Sequence, residues 1–227
     1  MCGPSGPFSA ASHRTFATVR TVPAIEALTI ADDPTGWAEA GFTVDGDGTC
    51  RTGTVRLLIS PHHPGTGVTG WTIAGLDGGG TSIDGLATEA GDGGPAEPAS
   101  HPNGVTQIDH LVVTTPDLAR TVSALRAHGF ADRRTREAGD VRQTFFRLGE
   151  VILEVVGRDR PSGDGPARFF GLAFTVADLD ATAALLGDRL GPAKDAVQPG
   201  RRIATLRHEA LGITVPVAFM SAEARRP

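Results

Sequence analysis

The C-terminal half of the chain alternates between strand-like and helix-like patterns of apolar residues. Residues 108–114 form a short run rich in apolar and β-branched side chains, which predicts a strand. Asp117 then stands where the N-cap of a helix is expected. Leu118, Val122 and Leu125 follow at positions i, i+4 and i+7, which lie on one helical face. The pattern therefore predicts a strand followed by an amphipathic helix.

Two further strands are predicted after this helix, at 142–148 and 151–156. They are separated by Gly149-Glu150, and two turn residues between apolar runs signal a tight hairpin. Residues 106–157 are thus expected to form one compact module that contains one helix and at least three strands.

The same order of elements recurs further along the chain. Residues 170–176 predict another strand, and Asp178 stands 61 residues after Asp117, as Leu186 does after Leu125. Two later strands are predicted at 201–207 and 213–220. A constant offset across a strand and a helix indicates an internal repeat. We assign the two copies to 106–157 and 168–220.

A worn copy of this module is predicted within residues 22–76. Residues 25–30 match the opening strand of the C-terminal copy, and a short helix is expected around Trp37. Residues 54–59 match its last strand, and 70–76 resemble the first strand of a fourth, degraded copy. The N-terminal half is therefore expected to hold one or two degenerate modules.

The two halves are separated by residues 77–104, which consist mainly of Gly, Pro, Ala, Ser and acidic residues. Such a composition buries too little apolar surface to offset the entropy of ordering the chain. We therefore predict a linker there, followed by a C-terminal domain of two paired modules over 105–221. Residues 1–21 have a similar composition and predict a disordered N-terminal extension.

Composition and charge narrow the classes of partner. The 227 residues are 40% hydrophobic, which is enough for one large or two small cores. The net charge of −5 and the lack of a basic stripe argue against nucleic acid as a partner. No apolar run reaches the roughly 20 residues that span a bilayer. A cytoplasmic protein that does not contact a membrane is therefore expected.

Three short sequences carry a resemblance to a known family: Ile108-Asp-His110-Leu-Val-Val, Pro116-Asp-Leu and Gly149-Glu-Val-Ile-Leu-Glu154-Val-Val. They resemble a module of the vicinal-oxygen-chelate superfamily, which includes glyoxalases, epimerases, extradiol dioxygenases, thiol transferases and bleomycin-resistance proteins. The resemblance implies an α+β fold of repeated βαβββ modules. It further implies that the C-terminal pair forms a half-open curved sheet with its helices outside.

The resemblance also implies a metal site. The histidine that this family places on the first strand falls on His110, and the carboxylate of its last strand falls on Glu154. These ligands suit a divalent ion such as Fe, Mn, Ni, Zn or Co, with Glu154 or a water acting as the catalytic base. The corresponding positions of the second module are Gly171 and Ala218, whose side chains cannot bind a metal.

The hairpin register predicts the lining of the pocket. With Gly149-Glu150 as the turn, Phe145 lies opposite Glu154, and directly opposed residues share one face of a sheet. Period-two alternation places further side chains on this face beside His110 and Glu154. We predict the ligand-binding residues to be Val112, Thr114, Phe145 and Arg147. Two roles are open for Arg147, which are an ion pair with Glu154 and a clamp for an anionic substrate.

Two hypotheses for the function follow. The first is a divalent-metal-dependent lyase or isomerase of the glyoxalase type that uses His110 and Glu154. The second is a metal-free protein of the resistance or sequestration type, which binds a small molecule beside a vestigial metal site. Because edge strands of such modules pair between subunits, a homodimer is a third, assembly-based hypothesis.

Overall fold

The computed structural model describes residues 22–76 and 81–223. The N-terminal half contains a six-stranded sheet and one helix: β1 (Ala24–Ala31), α1 (Pro34–Glu39), β2 (Thr49–Thr52), β3 (Val55–Ile59), β4 (Gly67–Ala74), β5 (Thr81–Ile83) and β6 (Leu86–Gly91). The C-terminal half contains an eight-stranded sheet and two α-helices: β7 (Val105–Thr114), α2 (Leu118–Ala127), β8 (Asp132–Ala138), β9 (Val141–Leu148), β10 (Val151–Arg158), β11 (Arg168–Val176), α3 (Leu179–Leu186), β12 (Lys194–Asp195), β13 (Arg202–Thr205) and β14 (Val217–Ser221). Two short 3-10 helices follow α3, at Gly187–Arg189 and His208–Leu211.

The C-terminal sheet consists of two βαβββ modules side by side, in the strand order β12-β13-β14-β11-β7-β10-β9-β8. The first strands of the two modules, β7 and β11, are antiparallel neighbours at its centre. Each is parallel to the last strand of its own module, β10 or β14. This arrangement confirms the predicted fold class.

Both helices of this half begin at the predicted aspartates. The carboxylate of Asp117 accepts a hydrogen bond from the backbone N–H of Arg120 at 3.0 Å. Asp178 accepts bonds from Asp180 and Ala181 at 2.9 and 3.1 Å. Each cap satisfies amide groups that the first turn of a helix leaves without intrahelical partners.

The N-terminal sheet repeats the same topology with fewer elements. Its order, β2-β3-β1-β4-β6-β5, corresponds strand by strand to β9-β10-β7-β11-β14-β13. The first module consists of β1, α1, β2 and β3, and the second consists of β4, β5 and β6. Residues 70–74 of the opening strand predicted at 70–76 belong to β4, and two further strands of its module, β5 and β6, are present.

The linker predicted at 77–104 is wrong for residues 81–91, which form β5 and β6. Asp84 and Gly85 connect these strands with positive φ angles of 50° and 93°. An Asp-Gly pair in this conformation is a tight hairpin turn. Ile83 and Leu86 on either side are buried, so the short hairpin contributes to the core despite its polar surroundings. Residues 77–80 lie outside the described residues, as does the predicted extension 1–21.

The two halves pack against each other through aromatic side chains. Phe42 lies 5.0 Å from Phe174 between ring centroids, and Trp37 lies 6.3 Å from Phe174. Beside them Asp32 is buried and accepts hydrogen bonds from the indole of Trp37 and the backbone of Thr214. The buried apolar residues of both halves form one continuous cluster. No helix in the described part of the chain is long and apolar enough to cross a membrane.

Candidate functional site

The concave face of the eight-stranded sheet forms a cavity of about 570 Å³. This is within the usual range for small-molecule sites. The second module supplies a mainly apolar wall, and Lys194, Asp195, Gln198 and Thr205 are its polar members. The apolar residues of this wall are Leu172, Ala173, Ile203, Val217, Ala218 and Met220. The first module supplies a polar wall that consists of His110, Arg134, Arg136, Gln143 and Glu154. The cavity therefore has two chemically different sides.

The structure brings four of the predicted residues together in this cavity: His110, Val112, Phe145 and Glu154. The hairpin pairs as predicted, with Leu148 opposite Val151 and Phe145 opposite Glu154. On the neighbouring strand, Glu154 lies beside Val112 and Ile152 beside His110. His110 and Glu154 therefore project from adjacent parallel strands, two residues out of step.

The other two predicted ligand-binding residues lie elsewhere. Arg147 is exposed, donates a hydrogen bond from Nε to the Gly149 carbonyl at 2.9 Å, and lines a separate groove. Thr114 lies beside Pro116 and Arg168 in another depression. Alternation identifies the face of a strand, but both strands extend beyond the cavity. The ion pair with Glu154, one of the two roles left open for Arg147, is absent from the described residues.

Glu154 instead accepts a hydrogen bond from Nε2 of Gln143 at 2.6 Å. Burial raises the pKa of Glu154, and the neighbouring His110, Arg136 and Arg134 offset part of that rise. The Oε1 atom of Gln143 is buried without a hydrogen-bond partner among the described residues. The polar wall of the cavity thus contains the carboxyl group of Glu154 and the amide of Gln143, and both groups can still bind a ligand.

A β-bulge places His110 beside the carboxylate of its sequence neighbour. Along the pairing of β7 with β11, Ile108 lies opposite Phe174 and His110 opposite Ala173, so Asp109 is the extra residue. Without this bulge, Asp109 and His110 would point to opposite faces. With it, Nδ1 of His110 lies 2.6 Å from Oδ1 of Asp109, and both residues are buried.

The second oxygen of Asp109 is bound from across the sheet. The hydroxyl of Thr175 donates to Oδ2 at 2.7 Å, and the buried guanidinium of Arg201 donates to the same atom. Burial alone would raise the pKa of Asp109, but the contact with His110 and the hydrogen bonds from Arg201 and Thr175 outweigh it and hold the pKa well below its usual range. Asp109 is therefore a carboxylate at neutral pH. Sequence reasoning missed this network because Arg201 is distant in sequence and a bulge cannot be detected from alternation.

Two arginines of β8 are further cavity residues that the sequence did not identify. Arg134 lies opposite Phe145 and Arg136 opposite Gln143 in the pairing of β8 with β9. The guanidinium carbon of Arg134 lies 4.7 Å from the centroid of the Phe145 ring, a cation–π contact. Neither arginine forms an ion pair within residues 22–76 and 81–223. The strongly polar sequence of β8 lacks the apolar alternation that would have predicted a strand.

The donor set does not fit a metal site of three or more protein ligands. The second module contributes Gly171 and Ala218 to the cavity, which are the positions predicted to correspond to His110 and Glu154. A Cβ atom on Gly171 would come within 2.6 Å of the Pro216 carbonyl oxygen, so the backbone itself occupies the space a side chain needs. Among the described residues, no group of three or more His, Cys, Asp or Glu could hold a metal ion.

No protein-family model matches the chain, and no curated protein matches its sequence significantly. Solved structures match it by shape. The fusion protein "xylose isomerase-like TIM barrel/4-hydroxyphenylpyruvate dioxygenase" shares 14% identity at a TM-score of 0.61, over 90% of this chain and 49% of that one. This chain therefore spans about half the length of the fusion protein.

Two further structures match over both sheets. A triple mutant of 4-hydroxymandelate synthase from Streptomyces coelicolor shares 14% identity at a TM-score of 0.58, over 90% of this chain and 94% of that one. BphC, a halotolerant catechol dioxygenase, shares 11% identity at a TM-score of 0.53, over 89% and 87%. The chain thus has the fold of the vicinal-oxygen-chelate superfamily. At these identities the likeness establishes the fold and leaves the chemistry to the site itself.

Proposed function

We propose that the C-terminal domain binds a small amphipathic anion, and that this binding requires no metal ion. The observation that carries the proposal is the division of the cavity. Arg134 and Arg136 lie on one side, and the apolar residues of the second module lie on the other. A ligand with an acidic group and an apolar body complements both sides at once.

The two arginines support an anionic ligand. Arg134 is positioned by its contact with Phe145, and both guanidinium groups are free of ion pairs in the described residues. The planar guanidinium of arginine matches a carboxylate in a two-point hydrogen bond. Glu154 lies near enough to influence both charges, so a ligand carboxylate is expected to bind on the side of the arginines away from it.

The second module supports binding without a metal. Its two family ligand positions are Gly171, which the Pro216 carbonyl crowds, and Ala218, which has no donor atom. Catalytic metal sites generally have three protein ligands. A pair of donors on one module holds an ion weakly, whereas an apolar wall favours an organic ligand.

A second candidate is the divalent-metal-dependent lyase or isomerase in which Glu154 is the base. One observation favours it, which is that His110 and Glu154 line the same cavity from adjacent strands. This candidate requires further ligands from water or substrate. Elemental analysis of the purified protein and of a His110→Ala variant separates the candidates. A stoichiometric metal that is lost in the variant would replace the first proposal with the second.

The test of the first proposal is calorimetric titration of the full chain with 2-naphthoate, with and without EDTA. We expect micromolar affinity that EDTA does not change, and at least a tenfold loss in an Arg134→Ala/Arg136→Ala variant because two charged hydrogen bonds are removed. Arg133→Ala is the matched control, since Arg133 is an exposed arginine of the same strand that does not line the cavity. Equal losses in both variants, or no binding by the parent protein, would overturn the proposal.

A further inference from the structure

We infer that Lys194 is a second anion-binding group of the cavity, so that the ligand is a dianion with an acidic group at each end of an apolar body. The inference rests on the proposed function, in which Arg134 and Arg136 bind the first acidic group. It adds a second point of attachment at the opposite edge of the same sheet.

The side chain of Lys194 lies on the cavity side of β12. Lys194 pairs with Ile203 of β13, which pairs with Met220 of β14, and both of these apolar residues line the cavity. Because directly opposed residues share one face of a sheet, Lys194 is directed to the cavity as well. Its neighbour Asp195 pairs with Arg202, whose guanidinium binds a residue of α3 on the outer face. By alternation the carboxylate of Asp195 is therefore directed away from the cavity.

The two modules place a cation at equivalent positions. In the first module Arg136 lies opposite the residue of β9 that is two before the partner of Glu154. In the second module Lys194 lies opposite the residue of β13 that is two before the partner of Ala218. Since Glu154 and Ala218 are corresponding positions, Arg136 and Lys194 correspond as well. They belong to β8 and β12, the two edge strands of the sheet, and both line the cavity.

The charge of Lys194 is not neutralised within the described part of the chain, where this side chain forms no ion pair. With Asp195 directed outward, Arg134, Arg136 and Lys194 share the cavity with one carboxyl group, that of Glu154. The cavity thus carries a local excess of positive charge in a protein whose net charge is −5. A monoanion leaves one of its two cationic edges unmatched, whereas a dianion complements both.

The cavity between its two cationic edges suits an apolar body. The apolar side chains that line this stretch belong to β7, β11 and β14, and they are Val112, Leu172, Ala173, Val217 and Ala218. Naphthalene-2,6-dicarboxylate has the corresponding form, because it is 2-naphthoate with a second carboxylate at the far end of the rings. The two compounds therefore differ only in the acidic group that is assigned to Lys194.

Calorimetric titration of the full chain with both compounds tests the inference. We expect the parent protein to bind the dicarboxylate about 5- to 20-fold more tightly than 2-naphthoate, because one more charged hydrogen bond forms. Lys194→Ala should bind the two compounds with equal affinity. Lys194→Arg is the matched control, since it keeps the charge and should keep the preference. Equal affinities in the parent protein, or a preference retained in Lys194→Ala, would overturn the inference and leave the proposed function standing. Failure of the parent protein to bind either compound would overturn both.

Chemical labelling gives a second measurement that needs no variant, because Lys194 is the only lysine of the chain. Acetylation of the native protein, followed by mass spectrometry of its peptides, reports the reactivity of this one amine. We expect the dicarboxylate at saturation to slow the acetylation of Lys194 at least about 5-fold, since a bound ammonium group cannot act as a nucleophile. The α-amino group of the chain is the internal control and should react at an unchanged rate. An equal rate for Lys194 with and without bound dicarboxylate would overturn the inference.

Discussion

The two halves of the chain share one sheet topology but use the same structural device for different purposes. Each has a β-bulge with an acidic extra residue on its first strand, Glu26 on β1 and Asp109 on β7. In the C-terminal half the carboxylate lies beside a histidine of the cavity and accepts hydrogen bonds from Arg201 and Thr175. In the N-terminal half Glu26 is bound by the backbone amides of Gly93 and Gly94, at 3.2 and 3.1 Å.

The residues that follow this contact cover the N-terminal sheet. Arg56 donates to the carbonyl of Gly94, and the amides of Ala96 and Ala99 donate to carbonyls of the β2–β3 hairpin. By register, Arg56 corresponds to Ile152, which lines an open groove in the C-terminal half. The segment predicted as a linker is therefore a structural part of the N-terminal half. In the N-terminal half the position of His110 is occupied by Ala27. That half therefore has the same sheet topology but no histidine at this position.

The largest effect is expected when the buried carboxylate of the C-terminal half is removed. Asp109→Ala would leave the guanidinium of Arg201, 5% exposed, without its ionic partner. Removal of one member of a buried ion pair costs about 3–5 kcal/mol in the free energy of unfolding. Urea denaturation measures this loss. Asp132→Ala is the control, since its pair with Arg126 is solvent-exposed and is expected to cost at most about 1 kcal/mol. Similar losses in the two variants would contradict the structural role of Asp109.

The equivalent substitution in the N-terminal half is expected to have a smaller effect. Glu26→Ala removes an acceptor from two backbone amides that lie near the surface and can bind water instead, so we expect a loss of about 1–2 kcal/mol. Hydrogen exchange at Gly93 and Gly94 should accelerate, because the segment 93–99 loses its anchor. Glu89→Ala, at an exposed position of β6, should change neither quantity. Unchanged exchange in Glu26→Ala would show that the segment is held by other contacts.

The parts of this structure that the sequence could predict are those governed by local chemistry. Asp117 and Asp178 cap their helices, and the turn at Gly149-Glu150 sets the register that places Phe145 opposite Glu154. The missed features depend on contacts distant in sequence. Arg201 reaches Asp109 across the sheet, and Arg134 belongs to a strand whose polar sequence gives no periodic signal.

The prediction of a linker at 77–104 was wrong for a different reason. Most residues of this segment are small or polar, but a few particular residues determine whether its backbone is ordered. Ile83 and Leu86 each bury a side chain beside an Asp-Gly turn, and Ala96 is buried as well. Backbone hydrogen bonds to Glu26 and to the β2–β3 hairpin also stabilise the segment, and such bonds cannot be predicted from its amino-acid composition. Glycine and proline here mark turns within a folded layer.

The smallest expected effect is a pH dependence of the stability of the N-terminal half, which arises from His101. His101 is buried, and its Nδ1 accepts from the backbone N–H of Thr43 while Nε2 contacts the Arg51 carbonyl, both at 3.0 Å. Burial lowers the pKa of His101, so the unfolded chain binds a proton more readily than the folded one. The stability that His101 contributes is therefore present above the pKa of the unfolded histidine and is lost as the pH falls from 8 towards 5. Protonation would also place a hydrogen on Nδ1, against the N–H of Thr43.

Urea denaturation across this range should show a fall in the free energy of unfolding that is weaker in His101→Gln than in the parent protein. The variant His62→Gln, at an exposed loop histidine, should retain the full pH dependence, and identical profiles for His101→Gln and the parent would assign the effect to other groups.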